Sequence, residues 1–320
     1  SDQQGKVYNL INSKSGLQDE SIYAIYQDRS GMLWLGLDNG IAKMELNSPI
    51  TTFTQQSGLN SGVLSILRAN DILYVGTPVG LYAFDTTERK FNLVKGVSPA
   101  QIFSLRKSGD DVFVAGERVA LLRNNKVQNL QAGLSAGFNA VSLLLSKIHP
   151  GILYTGGVNG VSVFINTDDK NTPWHFAGYF PNTSKEIWTL SEDADGTLWC
   201  GTQNSIVYRV KPVVDENGKI DIARSDVKTY GPESGLQNAP GSVFSIKRKS
   251  YFPSLGMMLT FNADKDRFEP DSTFGRIPEN ITLTEDFLLV EDSMGRVWMP
   301  LGNKIRLATP KPGGGYLLED

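Results

Sequence analysis

The chain repeats one short phrase of strand and turn residues, and this repetition limits its fold more than any other feature. Four copies are clear: "GMLWLGLDNGIAKMEL" at 31–46, "DILYVGTPVGLYAF" at 71–84, "GILYTGGVNGVSVF" at 151–164 and "GTLWCGTQNSIVYRV" at 196–210. Each copy is typical of two mostly apolar β-strands joined by a polar turn. A chain that repeats one such unit buries the apolar face of each copy against its neighbours.

The period of the repeat is set by the aromatic residue of the second strand, which recurs at intervals of 40, 39, 41, 45, 52 and 47 residues. These residues are Trp34, Tyr74, Phe113, Tyr154, Trp199, Tyr251 and Trp298. A more polar fourth strand is visible in several units, at 50–56, 90–94, 126–130 and 227–231. Four-stranded units of this length are typical of propeller blades. We therefore predict an all-β fold, a seven-bladed β-propeller of four-stranded antiparallel blades that forms a single domain over residues 1–320.

The first strand of each unit is apolar on both faces, which predicts that it is covered on both faces. Polar turns that end in glycine, such as "QDRSG", "EDADG" and "EDSMG", precede the aromatic strand and suit tight hairpins with a positive φ. No stretch carries a capped helical pattern of ten or more residues.

The two ends of the chain predict how the last blade is completed. Residues 5–17 read like a fourth strand followed by the "SGL" connection, yet they precede the first full unit. We expect a strand at about residues 6–12 to complete the last blade, and the segment 314–320 is the alternative candidate.

Composition excludes some classes of function. The formal net charge is −3 with both signs scattered, so no basic surface indicates nucleic acid as a partner. A membrane-spanning helix needs roughly 20 apolar residues in a row, and the sequence has no such run.

Residues able to do chemistry are few. Cys200 is expected to be a buried strand residue, and the two histidines, His149 and His175, have no second ligand or base at a useful spacing. The "DADG" segment at 193–196 lacks the later ligands of a calcium loop and is interpreted as a hairpin turn. We therefore predict no catalytic residue, no metal site and no cofactor.

The segment "SGLQDESIYAIYQDRSGMLWLGLDNGIAKM" at 15–44 resembles the two-component regulator propeller repeat. This repeat is found in the periplasmic sensor regions of hybrid two-component histidine kinases. The resemblance implies a seven-bladed propeller, a periplasmic location and a role in sensing glycans or other extracellular cues. In that family an immunoglobulin-like domain, a membrane helix and a kinase usually follow the propeller, so the resemblance also implies possible dimerisation through a full-length receptor.

The turns between the second and third strands vary in their polar residues from unit to unit. In a propeller these turns share one face around the central channel with the connections between blades, and loops on a rigid scaffold commonly carry binding sites. We expect a small polar ligand or oligosaccharide to bind there. The candidate ligand-binding residues are Asp38, Asn39, Glu117, Arg118, Asn159, Gln203, Asn204 and Asn303.

The function predicted from these features is a non-enzymatic, extracytoplasmic ligand-sensing domain. Two alternatives stay open: a protein-interaction or dimerisation scaffold, and an enzyme that resembles streptogramin lyase or cleaves glycans. Fold alone does not transfer an activity between propellers.

Overall fold

A computed structural model describes residues 17–45, 53, 55–124, 126–131, 139–167, 173–203, 205–236, 242–254, 256–275, 289–301 and 304–319. The chain divides into two compact units, Ser1–Gln56 and Ser57–Asp320. The described residues form 27 strands and two single-turn 3-10 helices, Gln55–Ser57 and Pro232–Ser234, and contain no α-helix. The all-β prediction is confirmed.

The strands form seven antiparallel sheets in chain order, and we call these sheets blades 1 to 7. Blade 1 is β1 (Ile22–Gln27), β2 (Met32–Leu37) and β3 (Gly40–Glu45). Blades 2 and 3 are β4 (Ser65–Ala69), β5 (Ile72–Thr77), β6 (Gly80–Asp85), β7 (Lys90–Leu93), and β8 (Ser104–Ser108), β9 (Asp111–Ala115), β10 (Val119–Arg123), β11 (Lys126–Asn129). Blade 4 is β12 (Ala140–Leu145), β13 (Ile152–Gly157), β14 (Gly160–Asn166) and β15 (Trp174–Tyr179).

The remaining three blades follow the same pattern. Blade 5 is β16 (Thr189–Glu192), β17 (Leu198–Gly201), β18 (Val207–Val214) and β19 (Ile220–Tyr230). Blade 6 is β20 (Phe244–Ile246), β21 (Lys249–Ser254), β22 (Met257–Asn262) and β23 (Arg267–Asp271). Blade 7 is β24 (Val290–Glu291), β25 (Val297–Leu301), β26 (Lys304–Pro310) and β27 (Tyr316–Glu319).

The predicted fourth strands are present in six of the seven sheets. In blade 7 the fourth strand is Tyr316–Glu319, the alternative candidate. Residues 6–12, our first choice for that position, lie outside the described residues, and their pairing stays a prediction. The strand expected at 50–56 also falls mostly outside them, and its last two residues belong to the 3-10 turn Gln55–Ser57.

The seven aromatic residues that define the period all lie in the second strand of their blade. Their equivalence is confirmed, but equal burial is not. Trp199 is 1% exposed, whereas Trp34 and Trp298 are 37% and 38% exposed. Four aromatic rings surround Trp199, the nearest being Phe261 at a centroid distance of 4.9 Å. Trp34 and Trp298 instead carry a cation over the ring, Lys43 and Arg296 respectively.

Within the unit Ser57–Asp320 the apolar core consists of layers, and each layer lies between two consecutive blades. The layer between blades 4 and 5 contains Tyr154, Leu198 and Cys200, and the layer between blades 5 and 6 contains Trp199 and Phe252. Similar layers join blades 2 and 3, 3 and 4, and 6 and 7. Face-to-face packing of small sheets covers both faces of an inner blade, as the apolar second and third strands require. Blade 1 has its own small cluster, Leu17, Leu35 and Leu37.

The first strands are less buried than the sequence predicts. All six residues of β1 are exposed, and only Ser104 and Leu105 of β8 are buried. In blades 2 to 6 the first strands of consecutive blades are neighbours. They therefore form the inner wall of this part of the fold, where one side chain in two faces a channel instead of a sheet.

Pro253 lies in the second strand of blade 6, where an edge or a bulge was expected because proline lacks a backbone N–H. The first strand of this blade pairs only with Lys249–Tyr251, and from Phe252 to Ser254 the second strand pairs only with β22. Pro253 therefore sits where β21 has become an edge, which confirms the expectation.

Candidate functional site

The turns between second and third strands lie at the same end of the blades as the connections that lead from one blade to the next. Backbone bonds show this: Ile102 N–H, in the connection to blade 3, donates to Thr77 O at the end of the second strand of blade 2. The same bond recurs as Ala140 N–H to Gly116 O and as Ile187 N–H to Gly157 O. We call this end of the blades in the unit Ser57–Asp320 the mouth.

Glycine is required where these segments approach each other. A Cβ on Gly157 would lie 2.2 Å from Asn139 O, and a Cβ on Gly160, whose φ is +91°, would lie 1.6 Å from Thr183 O. Both distances are far below van der Waals contact, so the recurrent glycine at the end of the second strand is a packing requirement of the mouth.

Two of the predicted ligand-binding residues lie in the mouth turn of blade 3. Glu117 is exposed and accepts a hydrogen bond from Ser98 Oγ at 2.6 Å. Arg118 is half-buried, and its Nη1 donates to Gln131 O at 3.2 Å. Gln131 is itself buried, and its Oε1 accepts from Val119 N–H at 2.8 Å. The connections before and after blade 3 therefore hold both side chains on the rim of the mouth.

The other predicted residues have different outcomes. Asn159 is exposed in the mouth turn of blade 4 and hydrogen-bonds Tyr179 in the outermost strand of that blade. Gln203 is exposed in the mouth turn of blade 5. Asp38 and Asn39 are exposed in the equivalent turn of blade 1. Asn204 and Asn303 lie outside the described residues.

An aromatic pair at the mouth was missed by the sequence reasoning. Phe103 and Trp188 each come directly before the first strand of a blade, blades 3 and 5, and their ring centroids are 6.1 Å apart in an edge-to-face arrangement. Since blade 4 separates these blades in the chain, the pair spans the channel. Both side chains are partly exposed, and Trp188 Nε1 has no hydrogen-bond partner among the described residues. The only signal in the sequence was a large ring where the other units carry residues such as Leu64, Asn139 or Val243.

The opposite end of the blades carries a repeated bond between an aspartate and a tryptophan. In three blades an aspartate Oδ2 accepts the indole N–H six residues later: Asp28 and Trp34 at 2.9 Å, Asp193 and Trp199 at 2.7 Å, and Asp292 and Trp298 at 2.9 Å. In Asp28 and Asp292 the other oxygen accepts turn N–H groups. The indole of Trp298 and the guanidinium of Arg296 lower the pKa of Asp292 to about 2. The hydroxyl of Ser30, followed by the indole of Trp34, lowers the pKa of Asp28 to about 2.

Carboxylates at this end also connect consecutive blades. Glu192 of blade 5 accepts Ser146 Oγ at 2.5 Å and Lys147 N–H at 2.8 Å, both in the first turn of blade 4. Glu291 of blade 7 likewise accepts Lys247 N–H of blade 6 at 3.0 Å. The paired letters "ED" that precede these turns are therefore a joint between blades followed by a turn cap. The "DADG" segment is a hairpin turn, as predicted.

The remaining chemical signals give no catalytic site. Cys200 is buried, and burial raises the pKa of its thiol, so it is a core residue as expected. His149 lies in a turn at the end opposite to the mouth, and His175 lies on an outer strand with an exposed side chain. The described residues contain no group of three potential metal ligands. A Gly-x-Ser-x-Gly pattern at 133–137 lies outside the described residues, and the strand–turn–helix context in which that pattern marks a nucleophile belongs to another fold.

Two segments of the chain, residues 16–39 and 183–204, match the model of the two component regulator propeller family. Both segments run from a blade connection, through the first strand and the aspartate turn, to the mouth turn of the same blade, blades 1 and 5. No curated protein matches the chain in sequence. None of the described residues forms a helix long and apolar enough to cross a membrane.

Among solved structures, the extracellular domain assigned to the hybrid two component system BT3049 of B. thetaiotaomicron is similar over 96% of this chain and 41% of its own, with a TM-score of 0.67 and 16% identity. Virginiamycin B lyase of Staphylococcus aureus is similar over 88% of this chain and 92% of its own, with a TM-score of 0.52 and 10% identity. PorZ, a surface component of the type IX secretion system of Porphyromonas gingivalis, is similar over 94% and 39%, with a TM-score of 0.51 and 10% identity.

These identities show the fold, and the chain spans only 41% of the length of the BT3049 domain. Together with the seven antiparallel sheets and the two matched segments, they identify the chain as a β-propeller built with two component regulator propeller repeats.

Proposed function

We propose that this chain is the extracytoplasmic ligand-sensing propeller of a hybrid two-component sensor, located in the periplasm, and that it binds a glycan or another small polar ligand at the mouth. The repeat family and the likeness to the BT3049 extracellular domain support the sensor role. In this role the propeller itself performs no catalysis, and signalling belongs to the rest of the receptor.

The observation that carries the binding proposal is the Phe103–Trp188 pair at the centre of the mouth. Aromatic rings offer a large apolar surface at a low cost in side-chain entropy, and a sugar ring can lay its C–H face on such a surface. The free indole N–H of Trp188 supplies one hydrogen-bond donor. On the rim, Glu117, Asn159 and Gln203 supply the acceptors and donors that pair with hydroxyl groups.

Arg118 adds a preference to this site. Its guanidinium has five donors in a fixed fork, and only one bond, from Nη1 to Gln131 O, holds it to the rim. A carboxylated sugar would engage such a fork in two parallel bonds. We therefore expect acidic oligosaccharides to bind more tightly than neutral ones of the same length.

The experiment is isothermal titration of the protein with neutral and acidic oligosaccharides, followed by variants in the best ligand. Trp188→Ala and Arg118→Ala should each weaken binding about tenfold or more, because 1.4 kcal/mol corresponds to a factor of ten. Arg248→Ala is the matched control for Arg118→Ala: Arg248 lies in a turn at the opposite end, where its Nη2 also donates to one backbone carbonyl, that of Ala194. Met294→Ala, an apolar side chain 70% exposed in another such turn, is the control for Trp188→Ala.

Equal affinity in all four variants would place the ligand away from the mouth. Failure of every oligosaccharide to bind would instead favour the interaction-scaffold alternative, which a pull-down with the mouth variants would then examine.

A further inference from the structure

A cavity of about 180 Å³ lies between blades 5 and 6, at the end opposite to the mouth. At about 30 Å³ per molecule it has room for about six waters, or for a single ring-sized group. Its walls come from the aspartate turn and third strand of blade 5, and from the second and third strands of blade 6. None of the residues predicted to bind ligand lines it.

Hydrogen-bond donors without partners face this cavity. Arg209 lines it, and the Nε–H of Arg209 is buried with no acceptor among the described residues. Lys211 is two residues further along the same strand, hence on the same face, and makes no ion pair within the described part of the chain. Lys249 lines the opposite wall and uses one of its three donors, to Asp271 Oδ2 at 2.8 Å.

The acceptors in the cavity, by contrast, are largely engaged. Asp193 Oδ1 accepts Ser250 N–H at 2.7 Å and its Oδ2 accepts the indole of Trp199 at 2.7 Å. Asp195 Oδ1 accepts Thr197 N–H at 2.9 Å. A buried N–H without an acceptor is unfavourable, so the surplus of donors calls for a ligand that brings acceptors.

The rest of the wall is apolar. Phe252 and Trp199 are buried, and Phe261 is partly exposed with its ring under the guanidinium of Arg209 at 5.7 Å. The guanidinium also lies 5.7 Å from the ring of Tyr230, which fixes its position. A preoriented cation beside an aromatic wall suits an anionic head group attached to a ring.

We propose that this cavity binds a small carboxylate with a ring-sized body. The carboxylate would accept from Arg209 Nε and Lys211 Nζ, and the body would lie against Phe261. Two sources share this chemistry, a sugar acid and an aromatic acid. The free oxygen of Asp195 would pair with hydroxyl groups of the sugar acid only.

The test uses the whole chain, labelled with ¹⁵N, and three probes: glucuronate, benzoate and glucose. The indole signal of Trp199 reports on the cavity and that of Trp188 on the mouth, and Trp199→Phe assigns the first. We expect glucuronate or benzoate to shift the Trp199 signal in a saturable way while glucose leaves it unchanged. Tighter binding of glucuronate would identify a sugar acid, and equal or tighter binding of benzoate an aromatic one.

Lys211→Gln should weaken carboxylate binding about tenfold. Lys211 is exposed, so its loss leaves the fold intact. Lys219→Gln, an exposed lysine in the tip of the same hairpin, is the matched control and should leave the affinity unchanged. The proposal is overturned if neither carboxylate shifts the Trp199 signal, if glucose shifts it equally, or if Lys211→Gln binds as the unchanged protein does. A shift of Trp188 alone would speak for the mouth site and against this one.

Discussion

The carboxylate of Asp193 holds the indole of Trp199 at 2.7 Å through one oxygen and the backbone N–H of Ser250, in the next blade, at 2.7 Å through the other. Asp28 and Asp292 hold their tryptophans in the same way, but their second oxygen closes their own turn. One residue type at one position of the repeat therefore serves a blade by itself or a joint between blades, depending on the neighbour.

Asp193→Asn should lower the free energy of unfolding by about 1–3 kcal/mol, because an amide presents an NH₂ group to one of two buried donors and leaves it without an acceptor. The measurement is urea denaturation followed by tryptophan fluorescence. Asp28→Asn should have a smaller effect, since Trp34 is 37% exposed and water can replace the lost bond. Equal losses in both variants would show that the bond to Ser250 adds nothing.

Trp199→Ala should cost about 3–5 kcal/mol of stability, as removal of a large buried side chain does. Trp199 contacts Tyr230, Phe252, Phe261 and Phe268, so its removal opens the layer between blades 5 and 6. Trp298→Ala is the matched comparison and should cost clearly less, because that ring is 38% exposed. Thermal unfolding of the two variants side by side checks the difference in burial.

Glu192→Ala should lower stability by about 1–3 kcal/mol, since it leaves the N–H of Lys147 without an acceptor at the joint between blades 4 and 5. Glu291→Ala removes the equivalent acceptor of Lys247 N–H, but Glu291 is exposed and water can take its place. Hydrogen exchange at Lys147 and Lys247 gives the direct readout. Unchanged protection at Lys147 in Glu192→Ala would contradict the proposed joint.

Acid stability should change in opposite directions in two aspartate variants. The pKa of Asp292 is lowered to about 2 in the fold, so this group contributes stability above its ordinary pKa of 3.8, and the contribution is lost as the pH falls from about 4 to 2. Burial raises the pKa of Asp193, so its stability contribution has the opposite sign and grows as the pH falls. The loss of stability between pH 5 and pH 2.5 should therefore be smaller in Asp292→Asn, and larger in Asp193→Asn, than in the unchanged protein. Urea midpoints at the two pH values measure both, and a shift of the same sign in both variants would contradict the assignment.

Gly157→Ala should destabilise the protein by about 1–3 kcal/mol, because the added methyl group would lie 2.2 Å from the backbone oxygen of Asn139 and the strand must move. Gly62→Ala is the control: no atom lies within 4 Å of its Cβ position. Circular dichroism melting curves of the two variants make the comparison. A Gly157→Ala protein as stable as Gly62→Ala would mean that the mouth connections adjust freely.

The fold could be predicted from the sequence because its signal is repeated. The seven aromatic residues recur with a period that only a few architectures have, and the turn glycines mark the same hairpin in each unit. Even the edge at Pro253 followed from one residue, since a missing N–H is a local property.

Burial and contacts between blades could not be predicted in the same way. The sequence letters around Trp199 and Trp298 are alike, but burial depends on the rings that the neighbouring blade supplies, and blade 6 supplies three to Trp199. The Phe103–Trp188 contact joins residues 85 positions apart across a channel. The polar turn residues were predicted at the mouth, but Arg118 and Glu117 turned out to be tied to the connections by partners that sequence spacing does not show.

The carboxylate that leaves one blade to cap the turn of the blade before it has a consequence for how such a chain can grow. Glu192 and the Lys147 N–H that it caps lie 45 residues apart, one repeat length, and Glu291 and Lys247 N–H lie 44 residues apart. A gene duplication that copies one repeat therefore copies a cap for the preceding blade together with a turn ready to receive the next cap. The new blade is compatible with both neighbours from the first generation, and blade number can change without any new contact having to evolve.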